Sequence, residues 1–148
     1  MSNLLEVIEL TKFFDMGRKH RVHAVENVSL SIAEKEIVGL VGESGSGKST
    51  LGKTVLGLHD KTSGQVKFRA EVLPQKYQAK DFRRFATNMQ MIFQDPYSSL
   101  NPRMTIGEIV GEGLKLHQNH DPSIVRDKVA VWLEKVGLHA DHMSRYPH

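Results

Sequence analysis

Gly42, Gly47, Lys48 and Ser49 stand in the order G-x-x-x-x-G-K-[ST], with Glu43, Ser44, Gly45 and Ser46 between the glycines and Thr50 adding a second hydroxyl. Each residue type in that spacing suits the binding of a phosphate chain. Gly42, Gly45 and Gly47 let the backbone turn tightly and bring its N–H groups close to phosphate oxygens without a Cβ in the way. Lys48 supplies a point charge for β- and γ-phosphates, Ser49 a hydroxyl ligand for Mg²⁺, and Thr50 one more hydrogen bond. The chemistry so marked is the binding of ATP or a similar nucleotide with Mg²⁺. Its cofactor-binding residues are Gly42, Glu43, Ser44, Gly45, Ser46, Gly47, Lys48, Ser49 and Thr50.

Such a loop works when a strand enters it and a helix leaves it, because the helix N-terminus adds free N–H groups and a positive dipole end. Residues 36–41 are a short apolar run of strand type. Residues 51–58 continue as a helix with Leu51, Val55 and Leu58 on one face. Further strands are predicted over residues 4–10, over 24–32, where Val25, Val28, Leu30 and Ile32 line up, and over 65–69 after the turn residues Lys61, Thr62, Ser63 and Gly64. A buried-type strand is predicted over 89–94, stopped by Asp95 and Pro96, with loop following to Met104.

Helices are predicted over 80–87 and from Thr105 to about residue 117, where Glu108 stands three residues after Thr105 in a capping box. Another starts at Asp121-Pro122, with Val125, Val129, Trp132, Leu133 and Val136 on one face and Gly137 at its end. Arg18, Lys19, His20 and Arg21 read as a polar loop. The front is therefore strand-rich, the middle binds phosphate and the back third is helical, an α/β nucleotide-binding core with a helical appendage.

The 148 residues suffice for one domain with a real core. The absence of cysteine excludes a disulfide framework and thiolate chemistry. No apolar run reaches membrane-spanning length, and Glu6 and Glu9 interrupt the first apolar stretch, so neither a spanning helix nor a secretory leader is expected. The net charge of +3 is mild. The densest basic cluster, Lys76, Lys80, Arg83 and Arg84, reads as a solvated helix face, and no nucleic-acid partner is expected.

The run MIFQDPYSSLNPRMT at residues 91–105 resembles the Q-loop region of ABC-transporter ATPase subunits, and within them the dipeptide/oligopeptide/nickel importer branch. Residues 41–51, 57–66 and 133–148 agree with it, so the resemblance covers nearly the whole chain. It implies a P-loop NTPase core of ABC type with N-terminal antiparallel β strands and a helical subdomain. Residues 1–94 would be the β-rich core and residues 95–148 the Q-loop and helical part. Gln94 matches the glutamine that reaches the Mg²⁺ and attacking-water region, so the resemblance makes Lys48 and Gln94 catalytic and Ser49 and Gln94 metal ligands. Phe14 falls where the family carries an aromatic that stacks on adenine, with Phe13 as the competing candidate and core packing as the plainer account. Residues 95–103 and the helices after them would face the transporter.

The implied function is to energise a membrane importer of peptides or related small solutes by binding and hydrolysing ATP at the cytoplasmic face of the bacterial inner membrane. The implied partners are integral membrane permease subunits, a second ATP-binding subunit in a homo- or heterodimer, and, indirectly, a solute-binding protein. In the family, Tyr146-Pro147-His148 is followed by the LSGGQ signature, the Walker B carboxylates and a switch histidine, none of which is in these 148 residues. Weak nucleotide binding without turnover is therefore expected of this chain alone. The resemblance also implies a parallel sheet with two strands between residues 36–41 and 89–94, both missing here, so the fold is expected to be incomplete and the chain a fragment of a longer protein. Two other readings stand beside this one: an ABC-type ATPase of a nucleic-acid-linked process, and a non-catalytic nucleotide-binding fragment. Eight histidines include the pairs His20/His23, His117/His120 and His139/His142, but no cysteine or acidic cluster completes a metal site around them.

Overall fold

The computed structural model describes residues 3–17, 20–118 and 121–147. Arg18, Lys19, His120 and His148, which enter the sequence reading, lie outside the described residues. The chain divides into two compact units, Met1–Met91 and Ile92–His148.

The first unit is built on two long antiparallel strands, β1 (Asn3–Asp15) and β2 (Arg21–Ala33), each of 13 residues. They are followed by β3 (Ser63–Phe68) and the short β4 (Glu71–Val72), in the sheet order β2-β1-β3-β4 with every pairing antiparallel. Strict alternation would put Val7 and Leu10 on opposite faces, yet both are buried in one core. A register shift between them, with Glu9 at φ 47°, supplies the extra residue. The Glu9 N–H is satisfied by Ser29 Oγ at 2.9 Å. Gly64 backs directly onto the bulge, since a Cβ there would lie 2.3 Å from the Glu9 carbonyl oxygen.

The core of this unit joins Val7, Leu10, Val25, Val66 and Phe68 of the sheet to Leu51 of α1 (Lys48–Val55), to Leu73 and Tyr77, and to Phe85 of α2 (Ala79–Phe85). Helix α1 is shorter than the sequence predicts. It stops at Val55, Gly57 turns the chain with φ 76°, and Leu58 is left 46% exposed instead of sharing a face with Leu51.

The largest departure concerns two apolar runs of the sequence. Residues 36–41 and 89–94, both predicted as strands, have no strand structure, and Ile37, Val41 and Ile92 are 97%, 95% and 94% exposed. A strand exists only by pairing its backbone groups with a neighbour. The apolar pattern is present in both runs, but the only sheet among the described residues, β2-β1-β3-β4, does not include them.

The second unit is helical: α3 (Pro96–Ser99), α4 (Ile106–Gln118), α5 (Pro122–Lys135) and a 3-10 turn at Ala140–Ser144. The predicted capping box forms. Thr105 N–H and Oγ1 both reach Glu108 Oε2, at 2.8 and 3.0 Å, and Glu108 N–H returns to Thr105 Oγ1 at 3.3 Å. Asp121 caps α5 by accepting from Ser123 N–H at 2.9 Å. Helices α4 and α5 meet closely at Gly111, where a Cβ would come within 2.9 Å of Val125. Leu114, Val125, Val129 and Leu133 form the core between them, with Ile106, Val110 and Met143 packed against it. Trp132 and Val136, predicted on the buried face of α5, are 41% and 72% exposed, because α4 and the 3-10 turn cover only the stripe through Val125, Val129 and Leu133.

Candidate nucleotide-binding site

The loop at residues 42–50 is held from three directions. The first is a turn inside it, closed by Ser46 N–H to the Glu43 carbonyl at 3.2 Å. The second is Lys48, whose ammonium donates to the carbonyls of Gly42 and Glu43 at 2.7 and 2.6 Å and to Ser46 Oγ at 3.2 Å. Those three bonds use the three donors of an ammonium group and draw the charge across the mouth of the loop. The third is the sheet. Gly47 sits at φ 91° with its α-carbon against β2, where a Cβ would lie 2.0 Å from the Ala24 carbonyl oxygen.

Gly47 is also the N-cap of α1, and it can offer no side chain to the first turn. No acidic residue stands in that turn either, and Leu51 N–H donates across the cap to the Gly47 carbonyl at 2.8 Å. The opening N–H groups of α1 are thus left to an anion, in a place where the dipole favours one. Thr54 Oγ1 donates back to the Thr50 carbonyl at 2.7 Å and is fully buried, which ties the helix into the core behind the loop. Ser49 is exposed on the first turn, and Glu43, Ser44 and Gly45 are exposed on the loop. Gly45, at φ 80°, faces open space. A glycine-built cradle, an uncapped helix end and a lysine within it fit the phosphate chain that the sequence predicts here.

Gln94 is exposed in a bend just before α3, in the second unit. Phe14 is in β1, paired with Val22, while Phe13 pairs with His23. Lys12 Nζ lies 4.8 Å from the centroid of the Phe14 ring, and His59 meets that ring at 88° and 5.2 Å between centroids. Phe13 instead packs on His23 at 4.2 Å, with the Arg21 guanidinium 5.5 Å from its ring. His59 is lowered from the ordinary histidine pKa by burial, then by the charges of Lys12 and Lys53. Its place beside Phe14 could not be read from spacing, since 45 positions separate the two residues.

His139 and His142 meet edge to face at 5.8 Å, and His23 Nδ1 lies 3.4 Å from Glu26. Among the described residues, no group of three or more His, Cys, Asp or Glu stands together in a way that could hold a metal ion.

A G-x-x-x-x-G-K-[ST] loop that opens a helix is the phosphate-binding motif of the P-loop class of nucleotide-binding proteins. The chain belongs to the ABC transporter family, whose model matches residues 25–147. It is 44% identical over 146 residues to the oligopeptide transport ATP-binding protein OppF of Streptococcus mutans, an alignment covering 98% of this chain and 47% of that protein. It is 42% identical over 148 residues to the dipeptide transport ATP-binding protein DppF of Lactococcus lactis, covering 98% of this chain and 47% of that one. The chain thus spans about half the length of the curated relatives it matches. Its fold is similar to the ATP-binding cassette MJ0796, solved as a dimer in a post-hydrolysis state bound to ADP and Pi, with a TM-score of 0.85 and 25% identity over 97% of this chain and 61% of that one. The architecture is accordingly an α/β ABC ATPase cassette, covered in part, and its sequence relatives are of the peptide-importer branch.

Proposed function

We propose that this chain carries the ATP-binding loop of a subunit that energises a membrane importer of peptides or related small solutes. The observation that carries the reading is the loop at residues 42–50, held open by Gly47 against Ala24 and leading into the uncapped N-terminus of α1. Lys48 would neutralise the β- and γ-phosphates, and the first N–H groups of α1 would bind their oxygens. The Ser49 hydroxyl would hold Mg²⁺, which when bound draws charge from the phosphates. Gln94 would complete the metal and water side of the site, and Phe14 would stack on the base.

Residues 95–103 and the helices after them would face the permease subunits, with a second ATP-binding subunit opposite and a solute-binding protein beyond the membrane. That arrangement belongs at the cytoplasmic face of the bacterial inner membrane. No described helix is long and apolar enough to cross a membrane, which is compatible with a peripheral attachment. These 148 residues contain no apolar strand ending in paired acids, so the chain by itself would bind nucleotide without turning it over.

Calorimetric titration of the chain with ATP and Mg²⁺ tests the loop. The Lys48→Ala variant loses hydrogen bonds from a charged donor, each with a contribution of about 1.5–3 kcal/mol, so affinity should fall by about 10- to 150-fold. Equal affinity in both proteins would refute the assignment. Mg²⁺-dependent hydrolysis by the unsubstituted chain, lost in Lys48→Ala, would refute the expectation of binding without turnover.

A further inference from the structure

His59 follows the phosphate-loop helix and is tied to its last turn: His59 N–H donates to the Lys53 carbonyl at 3.3 Å, as does Leu58 N–H at 2.8 Å. Its imidazole stands at 88° to the Phe14 ring, with centroids 5.2 Å apart. That is the edge-to-face arrangement in which the positive rim of one ring meets the negative face of another. Two neighbours thus bear on Phe14, and they differ in kind. Lys12 reaches the ring at 4.8 Å through a flexible four-carbon stem and can swing aside. His59 is instead carried on a backbone anchored to α1, and its imidazole is the aromatic group that meets the Phe14 ring.

We propose that His59 is a positioning residue for the base subsite: the imidazole holds the Phe14 ring in the orientation in which it stacks on the purine of a bound nucleotide. The inference rests on the reading of Phe14 as the base-stacking residue. It links that subsite to the phosphate loop through a single short element, since α1 carries the phosphate-binding turn at one end and, in its last turn, the Lys53 carbonyl that anchors His59. Burial and the charges of Lys12 and Lys53 favour the neutral imidazole, which donates its ring edge without adding a further cation beside the base. The ligand class that follows is a purine nucleoside triphosphate, with the phosphates read by the loop and the base by Phe14 as set by His59.

The test is calorimetric titration of the whole chain, with Mg²⁺ present, by ATP and by inorganic tripolyphosphate, in the unsubstituted protein, Phe14→Ala, His59→Ala and His59→Phe. His59→Ala should weaken ATP by about 3- to 10-fold, the loss of one edge-to-face contact, and leave tripolyphosphate unchanged. His59→Phe should restore ATP to within about twofold, because phenylalanine can make the same contact. Equal weakening of both ligands in His59→Ala, or unchanged ATP binding there while Phe14→Ala weakens it, overturns the role of His59 and leaves base stacking standing. An unchanged ratio of ATP to tripolyphosphate affinity in Phe14→Ala overturns the stacking reading and the inference with it. Failure of the unsubstituted chain to bind either ligand overturns both together with the loop.

Discussion

Gly47→Ala is the sharpest perturbation of the site, and Gly45→Ala is its internal control. Both glycines have positive φ, 91° and 80°, so a Cβ at either position carries backbone strain of about 1–2 kcal/mol. They differ in what the Cβ meets. At Gly45 it meets nothing within 4 Å, whereas at Gly47 it would stand 2.0 Å from the Ala24 carbonyl oxygen. That neighbour is backbone of β2, so it cannot rotate away, and the loop or the strand must move. Overpacking of this kind costs about 1–3 kcal/mol. Gly47→Ala should therefore destabilise the first unit by about 2–5 kcal/mol in all, against about 1–2 for Gly45→Ala. Urea unfolding followed by circular dichroism reads the stability, and calorimetry with ATP reads the site. Affinity should fall further in Gly47→Ala, because relieving the clash lifts the first turn of α1 away from β2 and turns its N–H groups out of the loop. Equal stability and equal affinity of the two variants would refute the close approach of the loop to Ala24, and with it the account of how the loop is held.

Three more outcomes follow from particular side chains. Tyr77 is 7% exposed, its hydroxyl has no partner among the described residues, and burial together with Asp81 pushes its pKa up to about 12. Burying an unpaired hydroxyl costs about 1–3 kcal/mol, so Tyr77→Phe should leave urea stability unchanged or raise it by up to that amount. Because the folded phenol holds its proton above the ordinary value, wild-type stability should fall as pH rises from about 10 towards 12, and a Tyr77→Phe protein that kept this contribution would refute the assignment. Glu108 is held below the usual carboxylate range by hydrogen bonds from the Thr105 backbone and then its side chain. Its contribution is present above the unfolded pKa and lost as pH falls through the lowered folded one, so the deficit of Glu108→Ala at neutral pH should vanish in acid; a deficit independent of pH would count against the cap. Ile37 is 97% exposed, so Ile37→Lys should change stability by no more than about 0.5 kcal/mol while reducing self-association in light scattering, and a larger loss would mean that Ile37 is packed.

The legibility of this chain divides according to the range of the interactions involved. The loop at residues 42–50, the Thr105–Glu108 cap and the Asp121-Pro122 start of α5 are encoded within a few residues, and each stands where the sequence puts it. The length of β1 was less legible. Its reading as residues 4–10 breaks where Val7 and Leu10 violate a period of two, and only the bulge at Glu9, packed on Gly64, carries the strand on to Asp15. Residues 36–41 and 89–94 failed for a different reason: pattern reports which residues could be buried in a sheet, while pairing depends on a neighbour that local sequence does not specify. The contact of Phe14 with His59 is of the same long-range kind.

That failure bears on how the nucleotide loop is built. In a strand-loop-helix unit the incoming strand is the natural anchor, yet residues 36–41 form no strand here while the loop remains formed. Its shape must then come from the helix side and from within. Leu51 and Thr54 fix α1 in the core, Gly47 sets the helix start against the Ala24 carbonyl, and Lys48 ties the loop's own carbonyls together. The consequence is a division of labour between the two flanks. The helix flank positions the N–H groups that would meet phosphate in the proposed function, whereas the strand flank contributes apolar surface, at Ile37 and Val41, whose burial requires a sheet neighbour. The proposed phosphate recognition therefore does not depend on strand pairing by residues 36–41, and substitutions on α1 and β2 should govern affinity where those at residues 36–41 govern association.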